Sequence, residues 1–362
     1  MLVSCMTDAG TGPEPDPYWN PSFSQFCYTF QYMPGAITYL DTPVEPIAAF
    51  ASPITYPVDC ERPTTTPMIA SVTRAAMDGP YALPGQTILI DSMGLTQVDN
   101  PDWDGTTNTL RKITRDYSFA ADCTVELEDE TGARTTLGSI CPGGYNPDGS
   151  GVPATATVPA DMVAGAYQVV VTNADGTESP IGATLQVGPY TNNRNIWRVP
   201  GDFATIQGAI DAAGRGDLIL VAPKRDSEGN LLSYDELVVM WKPVKLQGWG
   251  AGAVTINARQ VPTEKVANWR IKVAQLRDDG LIDPLPGQEV AQPGFAALAE
   301  AVFPTEEGAG IFVAGRSSGN NSFGNPQNRG ARLDGFSIIG ASTGGGIVGN
   351  GSADYLQIGT NR

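Results

Sequence analysis

Asp202-Phe203-Ala204-Thr205-Ile206-Gln207-Gly208-Ala209-Ile210-Asp211-Ala212-Ala213 runs on through Gly214-Arg215 into Gly216-Asp217-Leu218-Ile219-Leu220-Val221-Ala222-Pro223. How these residues are read decides the second half of the chain. Phe203, Ile206, Ala209 and Ile210 share one face at helical spacing, so the first part is a short amphipathic helix. Asp202 is placed to cap its start and Gly214 to stop it. The second part changes character: an apolar run between Gly216 and Pro223 reads as a strand.

The same alternation of short strand and turn continues outward. Tyr234-Asp235-Glu236-Leu237-Val238-Val239, Pro243-Val244-Lys245-Leu246-Gln247-Gly248-Trp249-Gly250 and Val254-Thr255-Ile256-Asn257 follow in order. Order, spacing and turn residues resemble the start of a right-handed parallel β-helix of the pectin-lyase-like superfamily. In that family a helix of the form ATIQ-x-AIDAA closes the first coil, and GDLILVAP, YDELVV and KPVKLQGWG correspond to its opening strands. Lys224 stands where the family usually has Gly, and about ten residues are inserted before Tyr234. The resemblance implies like strands stacked on like strands, each burying an apolar residue, with the helix shielding the first open edge. Leu220, Val239 and Leu246 are then expected on adjacent rungs.

Residues 258–308 interrupt the pattern. Val266, Trp269, Val273 and Leu276 lie at helical spacing within Thr263–Asp279, and Phe295–Phe303 reads as a second short helix, so a helical insertion is expected. Coil-like runs return at Gly310–Val313, Leu333–Ile338, Gly346–Val348 and Tyr355–Ile358, with Leu333 and Leu356 separated by 23 residues, about one turn. The chain stops at Arg362 on a bare coil, so the β-helix is expected to be C-terminally incomplete and the natural protein to continue.

Residues 65–190 have a different pattern. Short strands follow one another between turns, in Met68–Val72, Ile88–Leu95, Cys123–Leu127, Ala156–Pro159, Ala164–Asn173 and Thr184–Val187, which is the pattern of a β-sandwich. The opening P-x-I-x-S-V, the PGQTILIDSMGL turn and strand, and VPADMVAGAYQVVVTNADGTES resemble the IPT/TIG family of immunoglobulin-like domains. Members of that family are mostly spacers or binding modules of extracellular proteins. Residues 1–64 are irregular and rich in Pro and aromatics, with one strand at Phe26–Tyr32 and a faint cupredoxin flavour. The expected fold class is therefore all-β: an immunoglobulin-like sandwich followed by an N-terminally capped parallel β-helix.

Composition narrows the chemistry. Of 362 residues, 39 are acidic and 22 basic, a net charge of -17, which disfavours nucleic acid and anionic membrane surfaces as partners. The chain has no histidine, so Ser-His-Asp and Cys-His nucleophiles and imidazole metal sites are excluded within it. No apolar run reaches the roughly 20 residues that span a bilayer. The five cysteines form no CxxC pair. Their distribution suggests two local disulfides, Cys27–Cys60 and Cys123–Cys141, in an oxidising exterior. Cys5 is the odd one, in a lipobox-like Leu2-Val3-Ser4-Cys5.

Three functional classes follow. The favoured one is a non-enzymatic extracellular, cell-surface or periplasmic module that binds polysaccharide or other surface proteins; Trp241, Trp249, Trp269 and Arg270 are its candidate sugar contacts, against plain packing. A polysaccharide lyase or glycoside hydrolase is the alternative the β-helix resemblance implies. Asp334 and Asp354, about one coil apart, are its only nominated carboxylate pair, against a turn-capping role. A third is an accessory part of a larger cupredoxin-containing oxidase-like protein. No cofactor is expected, save that Asp99, Asp102 and Asp104 are candidate calcium ligands, with a solvated turn as the competing reading.

Overall fold

The computed structural model describes residues 2–10, 12, 14–17, 19–20, 23–30, 61–75, 78–103, 110–180, 182–189, 195–284, 308–341 and 345–362. They form two compact units, residues 1–63 with 97–115, and residues 64–96 with 116–362. Strands dominate both, and the chain is all-β in class.

In the first unit, β1 (Leu2–Met6) pairs antiparallel with β2 (Phe26–Phe30), and the register sets Cys5 directly opposite Cys27. These two cysteines form a disulfide. This corrects the expected Cys27–Cys60 pairing and the reading of Cys5 as the odd cysteine. Sequence separation favoured neither pairing; the strand register decided. Cys60 lies outside the described residues.

In the second unit, short strands follow in chain order: β3 (Ile69–Arg74), β4 (Tyr81–Ala82), β5 (Thr87–Ser92), β6 (Gly94–Asp99), β7 (Lys112–Tyr117), β8 (Thr124–Glu128), β9 (Arg134–Thr136), β10 (Gly138–Ile140), β11 (Ala154–Thr157), β12 (Gly165–Thr172) and β13 (Ala183–Val187). β6 and β7 pair with each other, and β7 runs across the boundary between the units, as does β6. Two sheets, ordered β10-β11-β5-β3 and β4-β13-β12-β8-β9, share one core. Alternation explains it: Ile88 and Ile90 of β5 and Val169 and Val171 of β12 point inward and are fully buried. The Cys123–Cys141 disulfide lies in this core, as the sequence suggested.

From residue 196 every sheet of three or more strands is parallel. β14 (Ile196–Val199) leads into α1 (Ile206–Ala212), then β15 (Leu218–Val221). The insertion before Tyr234 is an antiparallel hairpin of β16 (Lys224–Arg225) and β17 (Leu231–Leu232). Then come β18 (Val238–Met240), β19 (Lys245–Gly248), β20 (Thr255–Asn257), α2 (Glu264–Asp278), β21 (Ile311–Ala314), β22 (Ala331–Asp334), β23 (Ser337–Ile339), β24 (Ile347–Asn350) and β25 (Leu356–Gly359). The sheets are β14-β15-β19-β22-β25, β18-β21-β24 and β20-β23, with Tyr234 bridging to Ile256 ahead of the last. The chain thus visits the first, third and second sheets and returns, one strand in each per turn.

Ile219, Leu246 and Leu333 stack as register partners in the first sheet, all fully buried, and Ile358 follows them at the last turn. A buried aliphatic side chain of this kind stabilises by about 1.5–3 kcal/mol. Two expectations are corrected here. Leu220 and Leu246 do lie on neighbouring strands, but Val239 belongs to the second sheet, because each turn spends its apolar runs on different sheets. The last repeat is also longer than expected: Leu333 pairs with Ile358, and Leu356 with Ala331. A slip of two residues keeps every side chain on its face, so apolar parity alone could not separate the two registers.

The closing helix is capped by Thr205, whose hydroxyl accepts from the Gly208 N–H at 3.1 Å. The carboxylate of Asp202, the expected cap, accepts from the Arg198 N–H instead. The helix ends at Ala213, and the Gly214 N–H donates to Asp217. Ile206, Ala209 and Ile210 are buried against the first turn of the coil, as expected from their spacing.

The insertion contributes α2, whose Trp269, Val273 and Leu276 are buried on Val239 and Phe312, the outer face of the second sheet. Val238, Met240, Ile311 and Val313 face the coil interior, so this sheet is covered on both sides. The expected helix at Phe295–Phe303 lies outside the described residues.

Candidate functional site

The sandwich and the first sheet of the coil meet along a seam that buries a pair of hydrogen-bonded glutamine side chains. Gln186 and Gln247 are each 1% exposed, and the Gln186 Nε2 donates to the Gln247 Oε1 at 3.0 Å. Gln247 in turn donates to the Thr184 carbonyl. Close approach is possible because Gly250 has no side chain; a Cβ there would lie 2.3 Å from the Ala70 carbonyl oxygen. Amides buried this deeply hold a unique register because a shift would leave them unsatisfied.

Beside this seam opens a cleft of about 730 Å³. One wall is the Asp129-Glu130-Thr131 turn and the start of β12, with Tyr167. The other is built from three turns of the coil and carries Lys245, Arg329, Arg332, Asp354 and Tyr355. The Arg329 guanidinium lies over the Tyr355 ring, 5.2 Å from its centroid. The Tyr167 hydroxyl donates to the Val163 carbonyl, and burial raises its pKa, with the Asp129 charge acting in the same direction. The Asp129 carboxyl is lowered by bonds from the Thr131 hydroxyl and the Thr131 and Ala133 N–H groups, so it is ionised in this wall. Glu130 and Asp354 are exposed. Rings, carboxylates and cations facing one open space suit a ligand that offers both apolar faces and many hydroxyls.

The residues nominated from the sequence have separate fates. Asp354 lines the cleft, whereas Asp334 is completely buried in β22. It accepts from the Arg332 Nε at 2.5 Å and from the Gly359 N–H at 3.1 Å. Burial pushes its carboxyl up despite the nearby guanidinium. This carboxylate braces two neighbouring strands and has no access to a substrate, which removes half of the nominated hydrolytic pair.

The tryptophans pack rather than present. Trp269 is 3% exposed and meets Phe312 edge-on at 5.3 Å. Trp241 donates to Asp211 at 2.8 Å and carries Lys242 over its ring, while Trp249 packs on the coil core. Only Arg270 among these candidates is exposed, on α2. They form no common platform for a sugar. In the first unit, Asp99 pairs with Lys112 at 2.8 Å. The Asp102 N–H donates to Asn100, and Asp104 lies outside the described residues. Among the described residues, neither Asp99 nor Asp102 joins a close group of three possible metal donors.

Lys245, Arg329, Arg332, Tyr167 and Tyr355 were not legible as a site. Lys245 and Arg332 are 87 positions apart in sequence and become neighbours only through the register of β19 and β22. Compared with family models and with curated proteins, the chain matches none. Two disulfides fit an oxidising compartment, and no described helix is long and apolar enough to cross a membrane.

Proposed function

We propose that this chain is a non-enzymatic extracellular or cell-surface module that binds a glycan in the cleft between its sandwich and its parallel coil. The reading takes the coil as a pectin-lyase-like β-helix and the sandwich as an IPT/TIG-like spacer, neither of which matched a known family. One observation carries it: Tyr355 stacked under Arg329 faces Tyr167 and ionised Asp129 across an open space large enough for an oligosaccharide. The burial of Asp334 argues against paired-carboxylate hydrolysis, and the lack of histidine against imidazole-based chemistry.

The test is calorimetric titration of the chain with a panel of oligosaccharides, alongside an assay for new reducing or unsaturated ends. Binding without cleavage is expected, weakened about tenfold by Tyr355→Ala, equivalent to about 1.4 kcal/mol. Steady release of new ends would overturn the non-enzymatic reading.

A further inference from the structure

Away from the cleft, one group of three side chains among the described residues brings metal-ligating atoms together: Cys5, Asp8 and Cys27. Their two sulfurs and a carboxylate oxygen all lie within 4.8 Å of one another. The strands explain the placement. Pairing of β1 with β2 sets Cys5 directly opposite Cys27, 4.1 Å away at Cα, so both side chains leave the same face of the sheet. Past Met6, the last residue of β1, Thr7 takes a φ of 52°, and the chain turns to bring the Asp8 carboxylate to the two sulfurs.

The surroundings suit a cation. Residues 1–63 carry seven acidic side chains and one basic one, Arg62. The Asp8 Oδ1 accepts from the Gly10 N–H at 3.2 Å, and no described Lys or Arg pairs with this carboxylate. The Gln25 Nε2 lies 3.9 Å from the Cys27 Sγ, a donor placed to support a thiolate. Cys27 is exposed, and Cys5 and Asp8 are half-buried, so reductants and ions reach the group.

The group is closed while its two sulfurs are bonded to each other. A dithiol reductant opens it: the reductant's two thiols become a disulfide, the Cys5–Cys27 bond breaks, and each cysteine sulfur gains a proton. A divalent ion then binds both sulfurs as thiolates and displaces the two protons to solvent. A tetrahedral zinc ion, with bonds of about 2.3 Å to sulfur and about 2.0 Å to oxygen, holds its ligand atoms about 3.5–3.8 Å apart. The three donors lie within that reach, and water completes the set.

We propose that Cys5, Asp8 and Cys27 form a metal site under redox control, closed as a disulfide and taking Zn²⁺ once reduced. Two sulfurs select zinc over calcium or magnesium, which need oxygen donors. The bound ion occupies both thiolates and so blocks their reoxidation to the disulfide. Cys123 and Cys141, 4% and 8% exposed in the sandwich core, are shielded from a reductant that reaches Cys27. The proposal is independent of the glycan reading of the cleft.

The test titrates the full chain with Co²⁺ and then Zn²⁺, once oxidised and once after dithiol treatment, under conditions where peptide mapping still recovers the Cys123–Cys141 bond. The reduced chain is expected to bind one ion, with thiolate-to-cobalt charge-transfer absorption that zinc abolishes and with release of protons. The oxidised chain is expected to show no such absorption. Asp8→Asn is expected to weaken binding at least about tenfold while keeping the melting temperature. Cys60→Ser is expected to leave binding unchanged. A reduced chain without the charge-transfer absorption overturns the proposal, as does equal binding by Cys5→Ser/Cys27→Ser. Unchanged affinity in Asp8→Asn, or loss of binding in Cys60→Ser, overturns the three-residue ligand set.

Discussion

The side-chain amide of Gln207 occupies both backbone groups of Val239: its Oε1 accepts from the Val239 N–H at 2.7 Å and its Nε2 donates to the Val239 carbonyl at 3.2 Å. Val239 is the central residue of β18, the edge strand of the second sheet. One side chain of the closing helix thus supplies the pair of hydrogen bonds that a further strand would make. Replacing Gln207 by Leu leaves both backbone groups unsatisfied in a buried strand, at a cost of about 1–3 kcal/mol. It also uncovers an apolar edge, so light scattering should report concentration-dependent association of Gln207→Leu. A monomeric variant of unchanged stability would show that this contact guards nothing.

Glu236 anchors the start of the same helix, accepting from the N–H groups of Ile206 and Gln207 at 2.9 and 3.0 Å, while Lys242 donates to the Asp211 and Ala213 carbonyls at its end. The charges complement the helix dipole at both ends. Burial nevertheless raises the Glu236 carboxyl above its ordinary value of 4.5, outweighing the two N–H donors. A carboxyl raised in the folded state holds its proton more tightly there than in the unfolded chain. Its contribution to stability is complete below about pH 4.5 and is lost as pH rises through the folded value. Urea unfolding between pH 4 and 7 should therefore show the advantage of wild type over Glu236→Gln shrinking with rising pH. An advantage that grows over that range would refute the burial assignment.

Asp334→Ala removes the carboxylate from a mostly buried Arg332, whose side chain is 18% exposed, and takes an acceptor from the Gly359 N–H. Breaking a buried ion pair on one side costs about 3–5 kcal/mol. Chemical denaturation should report a loss in this range, and a change below about 0.5 kcal/mol would show the pair to be dispensable.

The disulfides can be checked directly. Peptide mapping under non-reducing conditions should recover Cys5 linked to Cys27 and Cys123 linked to Cys141. A peptide joining Cys27 to Cys60 would contradict the register of β1 on β2. The Cys123→Ser/Cys141→Ser pair opens a loop with a sequence separation of 18 and should cost about 3 kcal/mol.

The sequence alone determined what rests on local periodicity. The faces of α1 and α2, the strands at Leu218–Val221 and Lys245–Gly248, and the alternation that builds the sandwich core were legible because each depends on residues within a few positions. Which cysteines meet, whether the last turn repeats at 23 or 25 residues, and which sheet Val239 joins were decided only by long-range register. Apolar parity leaves such registers degenerate. The same reason hid the cleft: Tyr167, Lys245, Arg329 and Tyr355 are unremarkable in the sequence and line one open space only when long-range register brings them together. Asp334 failed as a catalytic candidate for the converse reason, since burial against a neighbouring strand is invisible to spacing and turns an acid into a brace.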